Sequence, residues 1–405
     1  MREKLTSHHA VKDIQNGGEA LFWPHVGPML FLALIFFTNF ASRIILAPLL
    51  PTIERDLGVS HSQAGSFFLL ISVGYFTALL GSGFVSSRLT HRGTIVFSAA
   101  FVGIILLSIS LMNSLWGIRL GLLILGMGGG IYMPSAFAAI TSLVSSRHWG
   151  KAIAIHELAP NLAFIAAPLL AEIFLRWSTW RTCLAFLGGI ALIIGIAYAR
   201  YGKGGEFPGE IPAAASFRIL VVKPSFWILV FLFGLGIAAT LGVFSMLPLY
   251  LVTEQEMDRN WANTLIALSR IPAPVTAFLA GWASDRLSPR LTIAGSLLVT
   301  GITTLLFGIT SGSWLVVSVL LQPALAVCFF PAGFAALAAI GPASSRNVAV
   351  SFTVPFGFLL GAGAIPMLIG IMGDAGSFAF GFTLVGGLIL TGVVLSLYLK
   401  LPKET

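Results

Sequence analysis

Apolar residues in this chain run together in stretches of about twenty or more, separated by short polar breaks. Hydropathy and the breakers between runs place twelve of them, at 27–51, 62–87, 93–112, 115–143, 149–174, 181–200, 224–252, 261–284, 291–311, 314–340, 347–372 and 376–399. Each can cross about 30 Å of hydrocarbon as a helix, some of them tilted. The pattern predicts an all-α membrane protein of twelve transmembrane helices. The first run is longer than a signal-peptide core of roughly 7–15 residues, so residues 1–25 read as a polar cytoplasmic tail.

Composition agrees with this pattern. The chain is 57% hydrophobic and 9% charged, with a mean hydropathy of +0.95. A soluble protein is about one-quarter charged because its surface must stay wet, so most of this surface must meet lipid or other helices. The net charge of +8 does not point to nucleic acid, because the basic residues sit singly in short loops. Cys183 and Cys328 lie in apolar runs and form neither a metal spacing nor a disulfide framework. No cofactor or metal is implied.

The loops set an orientation. With the N-terminus inside, Arg2, Lys4, Lys12, Arg88, Arg92, Arg147, Lys151, Arg200, Lys203, Arg218, Lys223, Arg286, Arg290, Arg346, Lys400 and Lys403 are cytoplasmic, 16 in all. The other side keeps only Arg55, Arg119, Arg176, Arg181 and Arg259. The positive-inside bias therefore predicts a multi-pass protein of the bacterial inner membrane with both termini cytoplasmic.

The chain also repeats itself. Gly83-x-x-x-x-Arg88-x-x-x-Arg92 recurs, shifted by 198, as Gly281-x-x-x-Asp285-Arg286-x-x-x-Arg290. Pro134-Ser-Ala-Phe-Ala-Ala recurs as Pro331-Ala-Gly-Phe-Ala-Ala, and Pro168 answers to Pro366. The Gly/Pro-rich segment 201–223 reads as a cytoplasmic linker between six-helix bundles at 26–200 and 224–399, with 400–405 as a C-terminal tail. Duplicated halves around a central site are how many secondary transporters alternate access.

On these landmarks the chain resembles a major facilitator superfamily transporter along its whole length. Gly281-Trp-Ala-Ser-Asp285-Arg286-Leu-Ser-Pro-Arg290 is similar to the family's G-x-x-x-D-R-x-G-x-[RK] loop, with Ser288 at the second glycine. The first copy is degraded, with Ser87 at the Asp and Thr90 at the Gly. The resemblance implies two pseudo-symmetric bundles, and a charge latch between them formed by Gly83, Arg88, Arg92, Gly281, Asp285, Arg286 and Arg290.

Only Arg43, Glu157 and Arg270 place formal charge deep in the expected spans. Such charge costs about 2.5–3.5 kcal/mol on insertion scales, which makes each a functional candidate. Arg270 lies near the midplane, and a guanidinium offers a planar fork to a carboxylate. Carboxylate-carrying members of the superfamily have an arginine in the eighth span, which Arg270 resembles. Arg43-x-x-x-Ala47-x-x-x-Pro51 resembles the first span of organophosphate and anion:cation symporters. With the first span ending near residue 51, Arg43 could instead snorkel to the outer interface.

Asn39 shares the face of Arg43, and Asn161, Tyr132 and Gln322 complete the candidates for substrate contact. Glu157 should pair with an arginine or take up a proton, which makes it the candidate for proton coupling, with His156 a weaker second. His156-Glu157-Leu-Ala-Pro160 lacks the second histidine of a zinc-protease helix. Gly126-Met-Gly-Gly-Gly130 reads as close helix packing.

The fifth span holds Pro160 and Pro168 but has Asn161 and Ala167 where proton-exchanging exporters have glycines, which weakens an exporter reading. The leading expectation is a non-enzymatic, H⁺-coupled symporter of a small organic anion, a carboxylate, working as a monomer in the bilayer. A drug or metabolite efflux antiporter, and a non-transporting sensor or assembly factor, remain the alternatives.

Overall fold

A computed structural model describes residues 22–210, 222–340 and 346–401. Most of the N-terminal tail, residues 211–221 of the linker, and Arg2, Lys4, Lys12, Arg218 and Lys403 lie outside the described residues. Eleven helical stretches there are long and apolar enough to cross a membrane. The second, His61–Leu111, has 51 residues. At 1.5 Å per residue it would extend to about 75 Å, more than twice the hydrocarbon thickness, and it reverses at Thr90, whose φ is 64°.

The spans are α1 Trp23–Leu57, α2 (61–89), α3 (91–111), α4 Leu115–Leu143, α5 Ser146–Trp177, α6 Trp180–Tyr201, α7 Pro224–Thr253, α8 Arg259–Arg286, α9 Pro289–Ile309, α10 Gly312–Ala339, α11 Ala349–Asp374 and α12 Phe378–Leu397. The membrane fold predicted from hydropathy is present. One boundary shifts in a way that matters: α1 continues past residue 51 to Leu57, where Gly58 ends it in the left-handed conformation at φ 62°. Arg43 is therefore about four turns from that end, too deep to snorkel.

The 198-residue repeat governs the covalent hinges and the tertiary ties alike. Thr90 and Ser288, which stand at the glycine of the family loop, both take positive φ, at 64° and 154°. Positive φ is ordinary for glycine and uncommon for a residue that carries a Cβ. At one end of the molecule, Asp56 accepts from Trp180 Nε1 at 3.0 Å and binds Arg181, both on the first turn of α6. At the equivalent positions Glu254 accepts from the backbone N–H groups of Phe378 and Ala379, on the first turn of α12. At the other end Arg92 Nη2 donates to the Ala199 carbonyl at 3.0 Å, and Arg290 Nη2 donates to the carbonyl of Leu397. Each arginine thus caps the C-terminal end of a helix in its own half, where a cation is favoured.

Close backbone approach joins α2 to α4. A Cβ at Gly74 would lie 1.9 Å from the Leu123 carbonyl oxygen, and one at Gly126 would lie 2.0 Å from that of Ile71. This is the close packing expected of the glycine run.

The two halves are clamped at the end opposite the chain termini, the distal end. Glu172 on α5 accepts from Arg259 at 3.0 and 3.3 Å and from Asn263 Nδ2 at 2.6 Å, both on α8. The pseudo-symmetric partner of this contact joins α11 to α2. There Asp374 accepts from the backbone N–H groups of His61 and Ser62 at 2.8 and 3.1 Å and from Ser60 Oγ at 2.9 Å. Arg55, Arg119, Arg176, Arg181 and Arg259 all sit at this distal end. The terminal segments of α8 and α10 pack principally within their own half, so the cleft between halves closes distally. Of the expected linker, residues 202–210 are described and lie against the first half. His91 and Arg92 N–H donate to the carbonyls of Phe207 and Gly205 at 3.1 and 2.8 Å, and Gly209 N–H donates to that of Ser86 at 3.0 Å.

Candidate functional site

The α8 helix is interrupted where Arg270 sits. Pro272 and Pro274 cannot donate the next helical hydrogen bonds, and the chain passes through tight bonds from Arg270 N–H to Ala267 and from Ile271 N–H to Leu268, both 3.2 Å. The Arg270 side chain is 3% exposed. Its guanidinium carbon stands 4.0 Å above the ring of Phe164 and 5.1 Å from that of Phe244. Nη2 donates to the carbonyl of Thr240 at 3.1 Å, whereas Nε and Nη1 are buried without a partner.

Thr240 lies in a π-helical turn of α7 at Ala238–Gly242, a distortion found often at functional sites. Gln322 Nε2 holds the neighbouring carbonyl of Ala239 at 2.8 Å and Thr304 Oγ1 at 3.1 Å, and its own Oε1 is buried unpaired. The structure thus places Gln322 behind the turn that steadies Arg270, fully buried.

Arg43 is 7% exposed, at the turn that splits α1 at Ile45. Its Nε donates to Asn39 O at 3.4 Å, and its guanidinium lies 4.5 Å from the Tyr75 ring and 5.3 Å from that of Phe40. Asn39 Nδ2 donates to Ser98 Oγ at 3.3 Å, Ser98 Oγ donates to Gly128 O at 2.7 Å, and Asn39 Oδ1 is buried unpaired. Arg43, Tyr75 and Ser72 from the first half and Leu241, Ser245 and Phe358 from the second line a cavity of about 30 Å³. That is room for one or two waters in this conformation.

The two arginines do not share one chamber. Phe40 and Phe164 pack at 5.2 Å and Phe164 and Phe244 at 4.8 Å, so an aromatic layer stands between Arg43 and Arg270.

Glu157 pairs with neither arginine, contrary to one expectation. Its side chain is 42% exposed, and its Oε1 lies 3.3 Å from Nδ1 of the adjacent His156. His156 is fully buried and stacked 4.4 Å from Phe36. The Tyr132 hydroxyl donates to the Leu32 carbonyl at 2.8 Å and lies 3.0 Å from His156 Nε2.

Tyr132 is fully buried among α1, α4 and α5 with these bonds satisfied, and half-buried Asn161 turns its Nδ2 back to the Glu157 carbonyl at 3.0 Å. Three residues of the expected latch, Arg92, Arg286 and Arg290, make contacts within their own half. Besides its helix cap, Arg92 pairs with Glu206 of the linker at 3.6 Å, and Arg286 lies 5.5 Å from the Trp282 ring. These contacts, like the cap made by Arg290, stay within one half.

Sequence reasoning did not single out Phe164, Tyr75, Thr240 or the clamp residues Glu172 and Asp374. The available signal was the repeat: Ser72 and Leu241, the mates of Arg270 and Arg43, both line the central cavity.

The model of the family described as the Major Facilitator Superfamily matches residues 32–273 and 257–405. The chain belongs to the Major Facilitator Superfamily. It is 24% identical to a glycerol-3-phosphate transporter of Bacillus subtilis over 381 residues, covering 85% of each chain. It is 23% identical to the multidrug resistance protein MdtL of Escherichia fergusonii over 349 residues, 80% of this chain and 86% of that one. Among solved structures, a bacterial homolog to the human lysosomal transporter Spinster, in an inward-facing and unoccupied conformation, superposes with a TM-score of 0.76 at 17% identity, over 92% of this chain and 95% of that chain. That likeness shows the fold. The protein is thus a multi-pass membrane transporter of the secondary type, moving a small molecule across the bilayer, and not an enzyme.

Proposed function

We propose that the protein is an H⁺-coupled symporter of a small carboxylate, a monomer in the bacterial inner membrane with both termini in the cytoplasm. The observation that carries this reading is Arg270, a buried guanidinium with Nε and Nη1 unpaired at the junction of the halves. Leaving a buried charge without a partner costs several kcal/mol, and a carboxylate is the planar acceptor that fits a guanidinium edge. Arg43, with the hydroxyls of Tyr75, Ser72 and Ser245 around it, is the second positive element, so the substrate path carries two cations. Similarity to a glycerol-3-phosphate transporter supports an anionic solute. The His156–Glu157 pair supplies the proton. In the direction supported by the Lys and Arg bias, the cleft open to the terminal end faces the cytoplasm.

The test is uptake into proteoliposomes from a panel of acetate, lactate, oxalate and succinate, with and without an imposed pH gradient. At least one should accumulate, faster with the lumen alkaline, and Arg270→Ala should abolish its uptake. Unchanged carboxylate uptake by Arg270→Ala overturns the reading. Expulsion of lipophilic cations with no carboxylate flux would favour an efflux antiporter instead.

A further inference from the structure

The guanidinium of Arg270 belongs to the second half of the molecule, and the ring closest to its face belongs to the first. Phe164 stands on α5, 4.0 Å from the guanidinium carbon, and is held by Phe40 at 5.2 Å and Phe244 at 4.8 Å. A ring face and a carboxylate do not compete for the same part of a guanidinium. The π cloud attracts the flat face, and a carboxylate takes N–H groups along the edge. With its face on Phe164 and Nη2 on the Thr240 carbonyl, Arg270 keeps Nε and Nη1 unengaged. An isolated arginine side chain loses considerable rotamer entropy on binding; one already oriented loses much less.

This contact exists only while α5 packs against the distal segment of α8, the packing secured by Glu172, Arg259 and Asn263. Opening the distal end separates those helices and takes the ring away from the arginine. We infer that Phe164 is a positioning residue that makes the anion affinity of Arg270 depend on conformation, strong with the distal end closed and weak with it open. This rests on the reading of Arg270 as the anion site. It gives the carrier different substrate affinities on its two faces through an uncharged residue of the half that does not hold the arginine.

The experiment replaces Phe164 with phenylalanines carrying one, two and three ring fluorines, which weaken the π face while nearly preserving shape. Transport is measured for whichever of acetate, lactate, oxalate and succinate is taken up fastest, with Arg270→Ala in parallel. KM measured from the terminal side should climb with each fluorine, reaching about tenfold, with maximal rate nearly constant. Phe164→Leu should give a similar rise and Phe164→Trp should restore affinity. In oriented vesicles, the difference in KM between the two faces should shrink as the ring weakens. A KM flat across the fluorine series, with uptake still lost in Arg270→Ala, overturns the inference and leaves the anion site standing. Uptake unaffected by Arg270→Ala overturns both.

Discussion

At positions 198 apart, the ends of the two halves are nearly interchangeable and their centres are not. Arg92 caps Ala199 as Arg290 caps Leu397, and Asp56 ties α1 to α6 as Glu254 ties α7 to α12. In the centre, Arg43 corresponds to Leu241 and Arg270 to Ser72, so each arginine faces a small or apolar residue across the pseudo-symmetry axis. The difference teaches which constraint acts where. Helix termini leave unpaired backbone groups at the same place in both copies, and both copies meet the same need. The cleft must bind one asymmetric solute, which relaxes the symmetry there and concentrates charge on one side of each equivalent pair.

Erasing the central difference should have the largest effect. Arg270→Ser makes position 270 match its mate, and transport by purified protein should fall by about a hundredfold or more, the scale of losing a charge-assisted hydrogen-bond pair. Restoring the count of arginines with Ser72→Arg in the same protein should not rescue it, because position 72 has neither the π-helical carbonyl of Thr240 nor the ring of Phe164. Recovery of uptake in that double variant would mean that charge alone, wherever it stands, suffices. Next in size is the proton. Glu157→Gln removes the carboxylate beside His156, and it should abolish acceleration by a pH gradient while leaving counterflow exchange within about twofold. A gradient response that survives would move coupling away from this pair.

How these features read from sequence follows from the same contrast. The spans were legible because about twenty apolar residues in a row have few other uses, and the repeat because its hinges and prolines keep one spacing. Ile53-Glu-Arg-Asp-Leu57 looked like a loop for its charges, yet it is helical: it lies beyond the apolar run, where Glu54 and Asp56 find His61 and Trp180. Arg43, Arg270 and Glu157 stood out because charge in a span is costly. Their partners did not. Phe164 is one of 32 phenylalanines, and the carbonyl that holds Arg270 is a backbone atom in a π turn that leaves no mark in Ala-Ala-Thr-Leu-Gly. Partners defined by geometry rather than residue type stay silent until the helices are set beside each other.

The distal clamps sharpen the comparison at an intermediate scale, since they are equivalent in place and unequal in chemistry. Glu172 meets a guanidinium and an amide and is 14% exposed, whereas Asp374 meets the exposed N-terminus of α2. Partly buried charge pairs contribute more than exposed ones, which give about 0–1 kcal/mol. Glu172→Ala should therefore open the distal end several-fold more often than Asp374→Ala. The readout is the labelling rate of a cysteine introduced at Ala262, buried on the first turn of α8, followed from the distal side and compared with the same cysteine in the unaltered background. Equal effects would mean that the capping of α2 by Asp374 is worth as much as the ion pair.

The smallest effects belong to the paired helix caps. Arg92→Ala and Arg290→Ala each remove a cation from a helix C-terminus, worth about 0.3–1 kcal/mol, and should lower the melting temperature of the detergent-solubilised protein slightly. Arg92 also pairs with Glu206 of the linker at 3.6 Å, but Glu206 is more than half exposed, so that pair adds little. The two substitutions should then agree within about 1 kcal/mol, and both proteins should transport with unchanged KM. A clear loss of transport in Arg92→Ala alone would show that the linker contact bears on the transport cycle, and that the ends of the two halves are less alike than their shared caps suggest.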